Sequence, residues 1–195
     1  MRVQSRHLKV LWVLAFAAFL TACSTTGDKV SVDYYQIKGN STAALDKDIR
    51  RKGPKLDSGA HAIAVARIKM RPRMRYATAN SQCRVASAKV DVNARITLPE
   101  WKGRKTATAE MARAWDNVDR YARLHEAVHV AIAFKHARLM EAAILQLQAE
   151  PNCRTMQARV SSLFVEMLED HDREQKKFDA DEQKRIASSM LKRRG

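Results

Sequence analysis

The stretch RLHEAVHVAIAFKHARL, residues 123–139, decides how the rest of the chain is interpreted. It lies inside a segment without proline or glycine that runs from about Thr108 to Gln148. Within this segment one set of residues recurs at alternating steps of three and four, which is the spacing of one face of an α-helix. The set comprises Trp115, Val118, Ala122, His125, His129, Ile132, His136 and Leu139. The pattern predicts one long helix, or two nearly continuous helices, with this face buried.

The first two histidines of the stretch belong to an H-E-x-x-H motif, HEAVH at residues 125–129. Because residues four apart lie one turn apart on the same face of a helix, His125 and His129 can bind one Zn²⁺. Glu126 is then placed to take a proton from the attacking water and pass it to the leaving amine, while the metal polarises the scissile carbonyl. The motif predicts a zinc metallopeptidase with Glu126 as its catalytic base. The simpler alternative is an amphipathic helix whose histidines are hydrogen-bonded in the core.

A catalytic zinc site requires a third protein ligand and an open position. His136 lies seven residues beyond His129, about 10 Å further along an unbroken helix, so we expect it in the core or supporting a ligand. The third ligand is expected in the last helical segment. Candidates there include the acids Glu166, Glu169, Asp170, Asp172, Asp179, Asp181 and Glu182, together with His171. Composition alone leaves the choice among them open. A purely structural zinc is a weaker alternative, because such sites are usually rich in cysteine and none lies near the motif.

Three segments before the long helix have the alternation of β-strands. Residues 29–39 predict a first strand, and residues 61–76 and 89–99 predict two more that are joined as a hairpin. In the last of these, one face carries Val90, Val92, Ala94, Ile96 and Leu98. Because strands come first and helices follow, we expect an α+β domain: a small N-terminal antiparallel sheet packed on the H-E-x-x-H helix and on a C-terminal helix.

Two further helices are predicted by their end signals. Residues 40–54 form a short helix that Ser41 or Thr42 caps and a Gly-Pro pair ends. Pro151 marks a break after the long helix, and a last helix is expected from about residue 155 to 178 or beyond.

The second predicted strand carries a row of basic side chains on one face. Pro72 lies within this row and predicts a sheet edge, because proline cannot donate to a ladder of hydrogen bonds. The row comprises Arg67, Lys69, Arg71, Arg73 and Arg75. Charged side chains protect an edge strand from pairing, but the row could also hold an acidic peptide or lipid headgroups. It is the basis of an alternative function, a non-catalytic envelope lipoprotein that binds anionic ligands or peptides.

The first residues resemble a bacterial lipoprotein signal. A basic start is followed by VLWVLAFAAFL, residues 10–20, an apolar run that suits a signal peptide but is too short to span a bilayer. LTAC resembles a lipobox, which implies cleavage before Cys23 and its acylation, and the following serine implies sorting to the outer membrane. We expect a signal peptide at 1–22, a tether at 23–29 and a single domain at 30–195 that faces the periplasm. A plain secretory signal is the alternative.

The cell envelope also guides the interpretation of charge and cysteines. The formal net charge of +15 favours anionic neighbours, which for an exported lipoprotein are lipid headgroups or acidic polymers rather than nucleic acid. Besides a membrane contact through the lipid anchor, we expect a peptide or protein substrate. In an oxidising compartment the two remaining cysteines, Cys83 and Cys153, predict one disulfide. Two free buried thiols are the alternative.

Seven short segments occur in order from about Tyr34 to Glu182. They are YYQIKG, RRKGP, QCRVASAKVDV, ITLPEW, HEAVH, PNC and KKFDADEQ. Their order and spacing resemble a bacterial family of predicted secreted zinc-dependent proteases, an H-E-x-x-H domain formerly of unknown function. The resemblance implies a zincin-like metallopeptidase domain with Zn²⁺ as its cofactor.

The closing motif of that family resembles an aromatic-Asp pair followed three residues later by Thr or Glu. Here these residues are Phe178, Asp179 and Glu182. Some members continue with a His-Gly pair, where this chain has Lys184 and Arg185, so no histidine is available there. The resemblance therefore implies Asp179 or Glu182 as the third zinc ligand, with a preference for Asp179 because it fits both forms of the motif. The other acid would orient a ligand.

Overall fold

The structure is a computed structural model that describes residues 27–192, with side chains up to residue 189. The predicted signal peptide and Cys23 lie outside the described residues. Within the described range, no helix combines the length and the apolar character that a membrane span requires.

Three strands form one sheet in the order β1-β3-β2: β1 (Lys29–Ile37), β2 (Val65–Ala79) and β3 (Gln82–Trp101). β2 and β3 are the predicted antiparallel hairpin, and its turn residues Asn80 and Ser81 both have positive φ, as a two-residue hairpin turn with the right twist requires. The expectation of an entirely antiparallel sheet is wrong for β1, which pairs with β3 in parallel. The connection after β1 leaves a gap of one strand, so β2 forms the opposite edge of the sheet. β3 then fills the gap between β1 and β2, antiparallel to β2 and therefore parallel to β1.

The connection after β1 contains the short helix α1 (Thr42–Lys52), which confirms the predicted end signals. The Ser41 hydroxyl accepts a hydrogen bond from the backbone N–H of Ala44 at 3.2 Å, and the N–H of Gly53 donates to the carbonyl of Ile49 at 2.8 Å. A Cβ atom at Gly53 would lie 2.2 Å from the carbonyl oxygen of Ala62, so the loop approaches the helix end too closely for any larger residue.

Two long helices pack on the sheet: α2 (Ala109–Leu145), which is unbroken, and α3 (Cys153–Lys192). α3 begins two residues before the predicted start and continues well past the predicted minimum end. Two residues of the predicted buried stripe of α2, Val118 and Leu139, are 42% and 49% exposed, whereas Trp115 at its N-terminal end is buried. A strict three-four repeat drifts by about 20° per heptad around a straight helix, which accounts for Leu139 at the C-terminal end of the stripe. Trp115 stays buried because it packs with Trp101 and Leu45.

The core lies between the sheet and the long helices. The predicted inward face of β3 is buried and includes Val90 and Val92, which pack on Ala133, Ala137 and Met140 of α2. The basic row of β2 is exposed on the opposite face. β2 is an edge strand, as Pro72 predicts.

A disulfide confirms the predicted pairing of Cys83 with Cys153. It joins the start of β3 to the first residue of α3. The backbone of Cys83 also exchanges two hydrogen bonds with Glu150, at 2.7 and 2.8 Å. The link between the two long helices is therefore held against the sheet at this end of the molecule.

Candidate metal centre

The two long helices run antiparallel, and their contact brings the H-E-x-x-H histidines to the predicted acidic motif. The Nε2 atom of His125 lies 3.2 Å from Oδ1 of Asp179, and the Nε2 atom of His129 lies 3.0 Å from the same oxygen. The two Nε2 atoms are 3.1 Å apart. Three ligand atoms therefore meet at one point, although Asp179 lies 50 residues after His129 and 54 after His125 in the sequence.

These separations fit a zinc ion. Ligands at 2.0–2.1 Å in tetrahedral geometry lie about 3.3–3.4 Å from one another, and the three observed separations fall within a few tenths of an ångström of that spacing. All three side chains are partly buried. The donor set, two imidazole nitrogens and one carboxylate oxygen, is one that catalytic zinc sites use. The group of His125, His129 and Asp179 could therefore hold a metal ion.

Aromatic packing fixes the imidazole rings. The ring of Phe178 lies against both histidines, with centroids 4.9 Å from His125 and 5.1 Å from His129. Tyr121 approaches His125 from another side at 5.9 Å. Phe178 precedes Asp179, so one short stretch of α3 supplies both the carboxylate and the surface that orients the rings.

Gln175, one turn before Asp179 on α3, holds the other nitrogen of His129. Its Oε1 accepts a hydrogen bond from Nδ1 of His129 at 2.5 Å, and its Nε2 donates to the His129 carbonyl at 3.0 Å. The same amide nitrogen also donates to Nε2 of His171 at 2.8 Å. The Nδ1 atom of His171 in turn donates to Asp172 at 3.0 Å. The proton of His129 is thereby held on Nδ1, which leaves Nε2 with a free lone pair toward the site.

Gln175 is the residue that sequence reasoning missed. Its signal is spacing: it lies four residues before Asp179 and four after His171, so all three share one face of α3. Glutamine is uncommon in metal-site motifs, and nothing in its local sequence indicates contact with a distant histidine.

Glu126 is buried, with 4% of its surface exposed. Burial raises the pKa of its carboxyl group, an effect that the neighbouring His129 and a hydrogen bond from the backbone N–H of Ala66 partly offset. The side chain lies at one wall of a cleft of about 430 Å³, between the start of β2, with Ala64 just before it, and the His171–Asp179 segment of α3. A proton acceptor is thus enclosed beside the histidines.

The structure places Glu182 outside the three-ligand group. Its carboxylate accepts two hydrogen bonds from Arg185, each 2.7 Å, and one from the Tyr121 hydroxyl at 3.1 Å. These contacts, mainly the one with Arg185, lower its pKa to about 2. Because Tyr121 packs on His125, Glu182 contacts the site indirectly.

His136 also lies outside the group. It is buried, and its Nε2 is 2.9 Å from Oε2 of Glu174, which also contacts Lys135. Its ring packs on His171 at 5.5 Å. His136 therefore touches His171, the hydrogen-bond partner of Gln175. It lies away from the three ligand atoms, as its spacing along the helix predicts.

The fold and the site define a class of protein: an α+β domain in which an H-E-x-x-H helix and a carboxylate from a second helix form a candidate metal centre. The chain belongs to DUF922, a family of bacterial proteins of unknown function whose model matches residues 32–185. The matched region includes both histidines, Glu126 and Asp179. Neither the curated proteins nor the solved structures yielded a match. The resemblance is confirmed at the level of this family, whereas its link to proteases stays a prediction.

Proposed function

We propose that this protein is a zinc-dependent peptidase of the cell envelope. The observation that carries the proposal is the meeting of three ligand atoms, from His125, His129 and Asp179, beside the buried carboxylate of Glu126. A zinc ion bound there would supply a Lewis acid and lower the pKa of a water molecule. The chain's own residues account for the remaining requirements, which are orientation of the ligands, a proton acceptor and a place for the substrate.

Glu126 is the proton carrier in this proposal. In its ionised form it takes a proton from the water that attacks the scissile carbonyl carbon, and it delivers that proton to the amine nitrogen as the C–N bond breaks. Burial favours this role because it raises the pKa of the carboxyl group, which makes the carboxylate a stronger base. The N–H of Ala66 keeps the carboxylate oriented within the cleft.

The cleft suggests how a peptide is held. One of its walls is the start of the edge strand β2, where Val65 and Ala66, with Ala64 just before the strand, line the space opposite Asp179. Main-chain groups at a sheet edge can pair with an extended peptide. A substrate in this position would place its backbone between β2 and α3, next to Glu126.

The envelope location rests on the N-terminal sequence. The proposed mature protein begins at Cys23 and is anchored by it to the outer membrane, with the domain in the periplasm. The disulfide between Cys83 and Cys153 supports an oxidising compartment.

Metal content and hydrolysis of unfolded casein test the proposed function together. We expect about one zinc per chain in the wild type and in Glu126→Gln, whereas His129→Ala should lose the metal. Glu126→Gln should lower kcat/KM at least about a hundredfold, the usual contribution of a positioned general base. Glu166→Gln, an exposed glutamate on α3, is the matched control and should keep activity. A Glu126→Gln protein with full peptidase activity would refute the proposal.

The alternative function uses the basic row of β2, and one observation favours it: the row points away from the cleft, on the solvent face of the sheet. A protein that binds no zinc, yet still binds anionic ligands, would support this function alone. The two functions are compatible because they use different faces.

A further inference from the structure

The outer face of the sheet is strongly basic except at its Ile37–Trp101 end, where Leu45 of α1 packs on it. The strand register places outward residues of the three strands side by side. The cations among them are Lys29 on β1, Lys89 and Arg95 on β3, and Arg67, Lys69, Arg71, Arg73 and Arg75 on β2. The acids on this face are Asp33 and Asp91. We call this set of residues the basic face.

The basic face contains like charges in direct opposition. Arg67 pairs with Arg95 across the strands, and Arg73 pairs with Lys89. Like charges directly opposite each other destabilise a sheet. The second pair is compensated, since Arg73 binds Asp91 and Lys89 lies 3.1 Å from Glu141.

The rest of the basic face is less well neutralised. Among the described residues the nearest acid to Arg95 is Asp33, at 3.6 Å, and no described carboxylate forms an ion pair with Lys69 or Arg71. Arg67 donates to the carbonyl of Lys55, which leaves its positive charge without a counter-charge. The fold therefore maintains a repulsive arrangement at this end of the sheet.

A shallow cleft marks the point where these weakly neutralised cations converge. It has a volume of about 380 Å³ and is lined by four cations, Lys29, Arg67, Lys69 and Arg95, together with Ser31, Ala94 and Asn93. No carboxylate of the described part of the chain lines it. Four positive side chains, a hydroxyl and an amide form an environment suited to a phosphate group.

We propose that the basic face docks on an anionic phospholipid surface, with a headgroup phosphate in this cleft. The cations are spread in two dimensions, about 26 Å along β2 and about 10 Å across the strands, which matches an extended surface better than a compact ligand. Long Arg and Lys side chains can reach headgroups while the sheet stays above them.

The start of the domain lies on the same face. Lys29 is the first residue of β1 and lines the cleft, so an anchor at Cys23, six residues earlier, would hold the basic face close to the lipid. A lipid anchor and a basic patch are the two signals that together give stable membrane attachment. The docking itself requires neither zinc nor peptidase activity.

Vesicle co-sedimentation tests the proposal on the unacylated chain from residue 23 onward, which keeps every contact described above. At about 0.1 M salt, we expect binding to vesicles of phosphatidylcholine with phosphatidylglycerol and none to phosphatidylcholine alone. Each basic residue near an anionic surface contributes about fivefold in affinity. Arg67→Glu/Lys69→Glu/Arg71→Glu should therefore weaken binding at least about a hundredfold.

The matched control makes the same charge change elsewhere. Arg113→Glu/Arg154→Glu/Lys176→Glu replaces three exposed cations of the helices and should weaken binding only slightly. Circular dichroism and thermal melting check that both variants are folded. Equal losses in the two variants would overturn the proposal, because net charge alone would then explain binding. It would equally fail if soluble polyphosphate binds the chain and the anionic vesicles do not.

Discussion

Removal of the disulfide should cost this protein a large part of its stability. Cys83 and Cys153 are 70 residues apart in sequence, and a cross-link that closes a loop of that length stabilises the fold by about 4.4 kcal/mol in the chain-entropy model. The backbone hydrogen bonds between Cys83 and Glu150 do not involve sulfur. The double variant Cys83→Ala/Cys153→Ala therefore keeps these backbone hydrogen bonds, and besides the packing of the two sulfur atoms it loses the constraint on the unfolded chain.

Urea denaturation of metal-free protein measures this loss. With a slope of about 2 kcal/mol per molar urea, typical of a domain of this size, the midpoint should fall by about 2 M. Wild-type protein that is reduced before the titration should unfold at the same midpoint as the double variant, which serves as the internal control. Metal must be absent, because an ion that binds only the folded state would add its own stabilisation.

Two results would refute this reasoning. A midpoint that shifts by less than about 0.5 M in both proteins would mean that the unfolded chain gains little freedom from the missing cross-link. Loss of zinc binding in the folded double variant would mean that the bridge positions the metal ligands. We expect unchanged binding, since Asp179 lies 26 residues, or about 39 Å, along α3 from Cys153.

Three other predictions concern the site and the sheet. Asp179→Ala should weaken zinc binding, measured by chelator competition, by more than about a hundredfold. Glu182→Ala should have a much smaller effect, because the carboxylate of Glu182 is bound to Arg185. Similar losses in both variants would contradict the assignment of Asp179 as the third ligand. Gln175→Leu should weaken zinc binding about 10- to 100-fold, because His129 loses the acceptor for its Nδ1–H, and Gln175→Glu, which restores an acceptor, should recover it. Asp91→Asn should lower stability at neutral pH because the hydrogen bonds from its arginine partner depress the pKa of Asp91; the wild-type advantage is present above the unfolded pKa of about 3.9 and disappears as pH falls through the folded value. Urea midpoints measured at successive pH values should therefore converge on the acid side, and a constant difference would exclude this explanation.

Local signals predicted most of the fold. The Ser41 cap, the end of α1 at Gly53 and the edge position of β2 all follow from the conformational limits of single residues, and each is confirmed. The cysteine pair was likewise predictable, because only two cysteines remain once Cys23 is set apart. These features depend on residue type and not on distant contacts.

The remaining features depend on contacts between distant segments. The parallel pairing of β1 is decided by where the chain goes after α1, and no residue within β1 encodes that path. The role of Gln175 depends on the packing of α3 against α2, because its hydrogen-bond partner His129 lies 46 residues away in the sequence. For the same reason, the choice between Asp179 and Glu182 required the register of two helices, which spacing on one helix does not provide.

The antiparallel helices are fastened near one end by the disulfide and the backbone of Glu150, and the three candidate ligands lie far along the pair from that end. A metal ion bound there would be a second cross-link between α2 and α3. The three ligands belong to two helices and cannot assemble in an extended chain, so an ion would bind there only after α2 and α3 have docked. Without the ion, the ends of α2 and α3 that the disulfide does not reach would be the part of the helix pair held together least firmly.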